Sequence, residues 1–204
     1  ISIGGVKQLG QRVSAGLWLG RVQRSGSLTE RYINKLPVGQ DPYEMLGNPQ
    51  LKPETNNQAD LTLSYKYKGT ALKLDIFAAY MQDYISSRID TSLDPTMAPG
   101  VRQYTNIQEA MQAGFELSWH QQLVAGLHNR LSLAYTYGQD LVRNEPLPEI
   151  APMDIRYQLY GSYLDGNMRP TVSLRHVLQQ DRVSASFGET DTPAFTVLDV
   201  KLAY

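Results

Sequence analysis

Three groups of side chains in this sequence have the types and spacing to do chemistry. Glu116 and His120 lie on one face of an alternating stretch, where a carboxylate and an imidazole could exchange a proton. Met45, Met97 and Met153 fall in connections between regular segments, and a thioether is a soft ligand suited to Cu(I). Arg24, Arg31, Tyr32, Tyr43, Arg102 and Tyr104 also fall in or beside connections, where charge and ring stacking suit an anionic, aromatic chelate. Each group has a plainer reading. A polar strand face carries Glu and His without catalysis, methionine in a loop packs, and Tyr and Arg collect at interfaces. No G-x-S-x-G, H-E-x-x-H, G-x-G-x-x-G or P-loop spacing occurs, so no catalytic or cofactor-binding residue is expected.

The elements that must position these residues are strands. Helical periodicity is almost missing, and period two runs through the chain. Short strands are expected over Ile1–Lys7 and Arg12–Arg24, the second with Val13, Ala15, Leu17 and Leu19 on one face. Gly16 and Gly20 on its other face suggest crowding or bending there. An irregular segment follows, from about Ser25 to Glu54. Beyond it Leu61, Leu63, Tyr65 and Tyr67 alternate with Thr62, Ser64, Lys66 and Lys68. After the tight turn at 68–70, Leu72, Leu74, Ile76, Ala78 and Tyr80 alternate with Lys73, Asp75, Phe77 and Ala79.

Further strands are expected over Val101–His120, around Leu131–Tyr137, around Ile155–Tyr163, around Val172–Leu178 and over Leu198–Tyr204. The result is an all-β antiparallel meander of about nine strands. Its connections alternate short (68–70, 121–128, 165–168) and long (25–54, 91–100, 144–152, 184–192).

Composition narrows the class. The 204 residues include 19 basic and 20 acidic side chains, which argues against nucleic acid as a partner. With no cysteine, disulfide scaffolds and thiolate metal sites are excluded. No apolar run is long enough for a spanning helix, and the first residues lack the basic–apolar–small progression of a signal peptide. Thirteen tyrosines against four phenylalanines suit a surface that is dry at one end and wet at the other.

Long loops at one end and short turns at the other, with one apolar and one polar strand face, fit an outer-membrane barrel. The apolar faces of 60–67, 71–81, 113–119 and 131–137 carry no charge, and His176 is the one awkward residue. If the short turns are periplasmic, His120 and His128 flank one of them and are expected at the membrane interface. The long loops would then be extracellular. An odd strand count would mark the chain as part of a larger barrel.

Four motifs name a family. Gly47-Asn48-Pro49-Gln50-Leu51-Lys52-Pro53-Glu54 resembles the G-N-P-x-L-K-P-E signature of TonB-dependent outer-membrane receptors. Ser27-Leu28-Thr29-Glu30-Arg31-Tyr32 resembles the segment that precedes it. Tyr104-Thr105-Asn106-Ile107-Gln108-Glu109-Ala110 followed by Gly114-Phe115-Glu116 resembles their Y-x-N…A…G-x-E strand. Pro146-Leu147-Pro148-Glu149-Ile150-Ala151-Pro152 resembles L-P-x-I-P-P, with Ala151 replacing a proline.

The resemblance implies a 22-stranded transmembrane β-barrel in a bacterial outer membrane. Such a barrel imports a scarce ligand (a ferric siderophore, a metal ion such as copper, or similar) with energy passed on by a TonB-type protein through a plug domain. Residues 1–204 would then be a partial barrel with no plug, non-enzymatic and without a cofactor. Its partners would be outer-membrane lipid and lipopolysaccharide, the energising protein, and a small-molecule or metal-chelate ligand. The extracellular-loop residues Arg31, Tyr32, Tyr43, Arg102 and Tyr104 are the expected ligand contacts, and Met45, Met97 and Met153 the weaker metal candidates. Two alternatives are a soluble or surface β-sandwich that binds carbohydrate or protein, and a small self-contained outer-membrane barrel acting as adhesin or lipase.

Overall fold

A computed structural model describes residues 1–37 and 42–204. The chain forms β1 (Ser2–Gln8), β2 (Val13–Arg24), α1 (Leu28–Tyr32), β3 (Asn34–Pro37), β4 (Glu44–Leu46), β5 (Glu54–Tyr67) and β6 (Thr70–Ile89). These are followed by β7 (Val101–Val124), β8 (Leu127–Asp140), β9 (Glu145–Pro146), β10 (Asp154–Gly161), β11 (Arg169–Val177) and β12 (Phe195–Ala203). One sheet runs in the order β1-β2-β5-β6-β7-β8-β10-β11-β12, each strand antiparallel to its neighbour. This is the nine-strand meander expected from the alternation.

Connections differ from expectation in two places. The segment 25–54 is not irregular throughout, since it holds α1 and the β3–β4 hairpin, and β4 adds to β7 in parallel. The connection expected over 121–128 shrinks to a two-residue turn, because β7 and β8 pair as far as Val124 and Leu127. The turn after β5 has both Lys68 and Gly69 at positive φ, the geometry that matches strand twist in a two-residue hairpin.

Register aligns the side chains into belts. Val13, Tyr65, Leu72, Trp119, Leu131, Tyr157, Leu174 and Leu198 are successive cross-strand partners. The parallel row Ala15, Leu63, Leu74, Leu117, Leu133, Ile155, His176 and Thr196 lies beside it. No second sheet covers this face. Leu72, Ile76, Val172 and Leu174 stay between 38% and 41% exposed although each is flanked by strands on both sides. A sandwich buries such residues against a facing sheet, and that alternative is therefore absent. Nor, among the described residues, does the sheet close on itself: β1 pairs only with β2, and β12 only with β11, so these strands by themselves are not a small closed barrel. Among the described residues no helix is long and apolar enough to cross a membrane.

His176 finds its place in this belt. It is the next-to-last residue of β11, at the long-loop end, and its Nδ1 lies 2.8 Å from the Thr196 hydroxyl on the neighbouring strand. The imidazole is thus paired at a strand end.

The opposite face is polar. Thr62, Asp75, Glu116, Ala134 and Asp154 form one row, and Ser64, Lys73, Ser118, Ser132, Arg156 and Arg175 the next. Crowding at Gly16 proves real. The Trp18 indole lies across Gly4 and Gly16, where an added Cβ would meet its ring at 2.2 Å in both cases. Toward the long-loop end, the Pro-rich segment after β9 folds back over Gly138 on this polar face. There Leu147, fully buried, joins Met81, Ile107 and Ala110 in a small core.

Candidate functional site

The long connections fold onto one another at one end of the sheet. At 20 and 24 residues, β6 and β7 are about twice the roughly 9–11 residues that span a bilayer. β7 outruns its pairing with β8 beyond Ala110, and β4 takes up its free edge at Val101–Gln103.

The signature at 47–54 is held by the other motifs. Ser27 caps α1, accepting from the Glu30 amide, while the Glu30 carboxylate accepts from the Ser27 amide at 2.6 Å. This reciprocal cap is readable in sequence as Ser-x-x-Glu. Glu30 and Glu54 both pair with Arg24, each at 2.8 Å. The Arg31 guanidinium donates to the carbonyls of Gly26, Pro49 and Leu51 at 3.2, 2.7 and 2.8 Å. Gly47 lies against the end of α1, so a Cβ there would sit 2.5 Å from backbone atoms of Arg31 and Tyr32. Asn106 completes the clasp: its Oδ1 accepts from the Lys52 amide, and its Nδ2 donates to the carbonyls of Lys52 and Asp83.

The remaining loops are latched in similar ways. The Glu44 carboxylate, buried, accepts from the backbone amides of Thr96, Met97 and Ala98. These donors, the Thr96 amide first and the Met97 amide next, hold its pKa below the ordinary glutamate value. Arg102, also buried, has its guanidinium 3.7 Å from the Phe187 ring centre and 4.8 Å from that of Tyr43. Glu145 accepts from the Ser186 amide and the Ser184 hydroxyl, and Glu189 from the amides of Glu149 and Ser184. The connection 178–194 is thereby tied to 141–153.

Within this cluster is a cavity of about 600 Å³ whose walls include Arg24, Glu30, Met45, Arg102, Tyr104 and Phe187. Of the residues expected to meet ligand, Arg102, Tyr104 and Met45 line it. Tyr43 stacks on Arg102 from the side, and Arg31 faces the signature backbone. Tyr32 is 62% exposed. Met97, 89% exposed, is not packed with the buried Met45, and Met153 sits at the foot of β10, where its carbonyl accepts from the Leu178 amide. Among the described residues no group of three or more His, Cys, Asp or Glu is placed to hold a metal.

Sequence reasoning missed Glu30, Tyr84 and Phe187 as cavity residues. The capping pattern could have flagged Glu30; nothing in the local sequence marks Phe187, whose place depends on loop packing.

On the polar face, the possible acid–base pair does not form. His120 does not engage Glu116; its Nε2 lies 2.9 Å from the Tyr160 hydroxyl. Glu116 instead borders a recess with Lys73, Asp75, Asp154 and Arg156. His120 and His128 flank the short turn between β7 and β8, as expected. Alternation puts both on the polar face, where they stack with Tyr160.

Comparison with known proteins gives the arrangement its context. A family model described as TonB dependent receptor-like, beta-barrel matches residues 12–204. No curated protein matches the sequence. Among solved structures, the copper transporter OprC superposes with a TM-score of 0.83 at 22% identity, over 98% of this chain and 30% of that one. The siderophore receptor PirA from Pseudomonas aeruginosa gives a TM-score of 0.72 at 14% identity, covering 98% and 34%. A variant of the ferric enterobactin receptor PfeA from Pseudomonas aeruginosa gives 0.70 at 18%, covering 98% and 31%. The chain spans about a third of the length of these receptors, and at such identities the likeness speaks for the fold.

Proposed function

Because this chain belongs to the TonB-dependent receptor-like β-barrel family, whose members are outer-membrane transporters rather than enzymes, we propose that it is part of the wall and outer vestibule of a nutrient importer. On this reading residues 1–204 are all barrel, the apolar belt faces lipid and lipopolysaccharide, and the polar face lines the lumen. The plug that gates the lumen and takes energy from a TonB-type protein lies outside these residues. The protein works in the outer membrane of a Gram-negative-type bacterium.

The observation that carries the proposal is the vestibule itself. Four long connections gather at one end and are latched together, and three of them contribute walls to a cavity beside β6 and β7. Its lining mixes carboxylate, guanidinium, phenol and thioether groups. That mixture suits a metal presented either as an ion or inside an anionic aromatic chelate. Copper and siderophore receptors among the structural neighbours support the same cargo class. Arg102 and Tyr104 would offer charge and a ring to a chelate, with Tyr43, Arg31 and Tyr32 shaping the rim. Met45 would be the thioether within reach of a soft ion, with Met97 and Met153 outside the pocket.

The test is growth of a deletion strain with iron (free and chelated), copper, cobalamin or sugars limiting in turn. A defect restricted to one source, restored by the intact gene, identifies the cargo. Normal growth and normal uptake under every limitation would remove the import reading.

A further inference from the structure

At the short-turn end of the sheet, far from the vestibule, three rings meet on the polar face. His120 of β7 and His128 of β8 stack at 5.6 Å between centres, and His128 stacks on Tyr160 of β10 at 5.2 Å. The Tyr160 hydroxyl is 2.9 Å from Nε2 of His120. His128 is paired across the ladders with Gln122 on one side and Tyr160 on the other, and is two residues from the turn at Gly126. The Nδ1 of His128 is shielded from solvent and has no hydrogen-bond partner.

We propose that His120, His128 and Tyr160 form a binding site for a divalent first-row transition-metal ion of the Cu²⁺, Ni²⁺ or Zn²⁺ class. The donors are two imidazole nitrogens and a phenol oxygen. That set suits these ions and is wrong for Ca²⁺ or Mg²⁺, which take carboxylate and carbonyl oxygen. Each donor is carried by a different strand of a rigid ladder, so the three backbones are fixed as neighbours before any ion arrives and only the rings must turn out of the stack. All three rings are half-buried, which leaves an approach from the polar side. The unpartnered nitrogen of His128 supplies the second indication. A ring turned to put one nitrogen on an ion frees the other to find a donor or acceptor, and the present stacked arrangement satisfies only His120. Arg130, 5.9 Å from the Tyr160 ring centre, is the nearby cation.

The site is distinct from the vestibule. Tyr104 and His120 are on the same strand, separated by about 50 Å at the usual rise per residue. Its location at the inner mouth of the lumen rests on the import reading, whereas the metal chemistry does not.

The experiment uses the full-length receptor purified in detergent, with Cu²⁺ as probe, counting bound ions by equilibrium dialysis and recording EPR spectra. The wild type is expected to hold one more Cu²⁺ than the variant His120→Phe with His128→Phe, which keeps stacked rings but removes the nitrogens. Nitrogen superhyperfine structure from two imidazoles should vanish in that variant. Tyr160→Phe should weaken the same Cu²⁺ by about tenfold, and His176→Ala should change nothing. Equal stoichiometry and identical spectra in the wild type and the double variant would overturn the proposal, as would equal loss in His176→Ala. Heat-modifiable migration on gels reports that each variant is folded. Because the readout is bound metal, it can fail while uptake succeeds, and the reverse.

Discussion

Replacing Arg31 separates architecture from ligand contact. In the wild type its guanidinium donates to three backbone carbonyls, those of Gly26, Pro49 and Leu51. Hydrogen bonds from a charged donor are worth about 1.5–3 kcal/mol each when buried, and much less where water can replace them. The Pro49 contact is exposed and the other two partly buried, so Arg31→Ala should weaken the clasp by roughly 2–4 kcal/mol. The readout is hydrogen exchange at the Gly47 and Asn48 amides, which donate to the carbonyls of Ile33 and Glu30. Exchange there should accelerate by roughly 30- to 1,000-fold, with no change in the ladder amides of β5 and β6. Arg31→Lys, which keeps the charge but not the planar fork, should fall between. If exchange at Gly47 and Asn48 were unchanged while cargo affinity collapsed, Arg31 would be a ligand group and the architectural reasoning would fail.

Neighbouring residues on β7 test which face meets lipid. Leu117→Arg should lower stability in bilayers by about 2–4 kcal/mol, and Ser118→Arg far less, measured by urea unfolding of the full-length receptor in lipid; equal effects would refute the assignment. Gly47→Ala forces a Cβ onto the backbone at the end of α1 and should displace the clasp at a cost of about 1–3 kcal/mol, visible as new protease cleavage within 25–53. The Glu44 latch has a set pH sense. A lowered folded pKa means its stabilisation is complete above the ordinary glutamate value and disappears as pH falls through the lowered one. The loop 90–100 should therefore resist protease at neutral pH and open only in acid, while Glu44→Gln should be open at both; a wild-type loop that opens near neutrality would contradict this.

Strands, belts and the family were legible because each rests on local alternation or on a compact motif. Leu72, Leu74, Trp119 and Leu131 advertise one face by period two alone, and the ladders then place them side by side. The loop end was less legible for a physical reason. Arg102 looks in sequence like an exposed cation near a tyrosine, yet it is buried between Tyr43 and Phe187, residues from connections 59 and 85 positions away. No local pattern encodes such a contact. The hairpin within 25–54 was missed because β3 and β4 are too short to show a period, and β4 exists through its pairing to β7.

The 2.7 Å hydrogen bond from the Gly47 amide to the Ile33 carbonyl has a consequence for how this surface can diversify. The described parts of the stretch between them, β3 and β4, are closed off at that bond and held to β7 through β4. Doubling the length of a flexible loop costs only about 0.6 kcal/mol in closure entropy. Insertions between β3 and β4 should therefore leave the pairing of β2 with β5 unchanged.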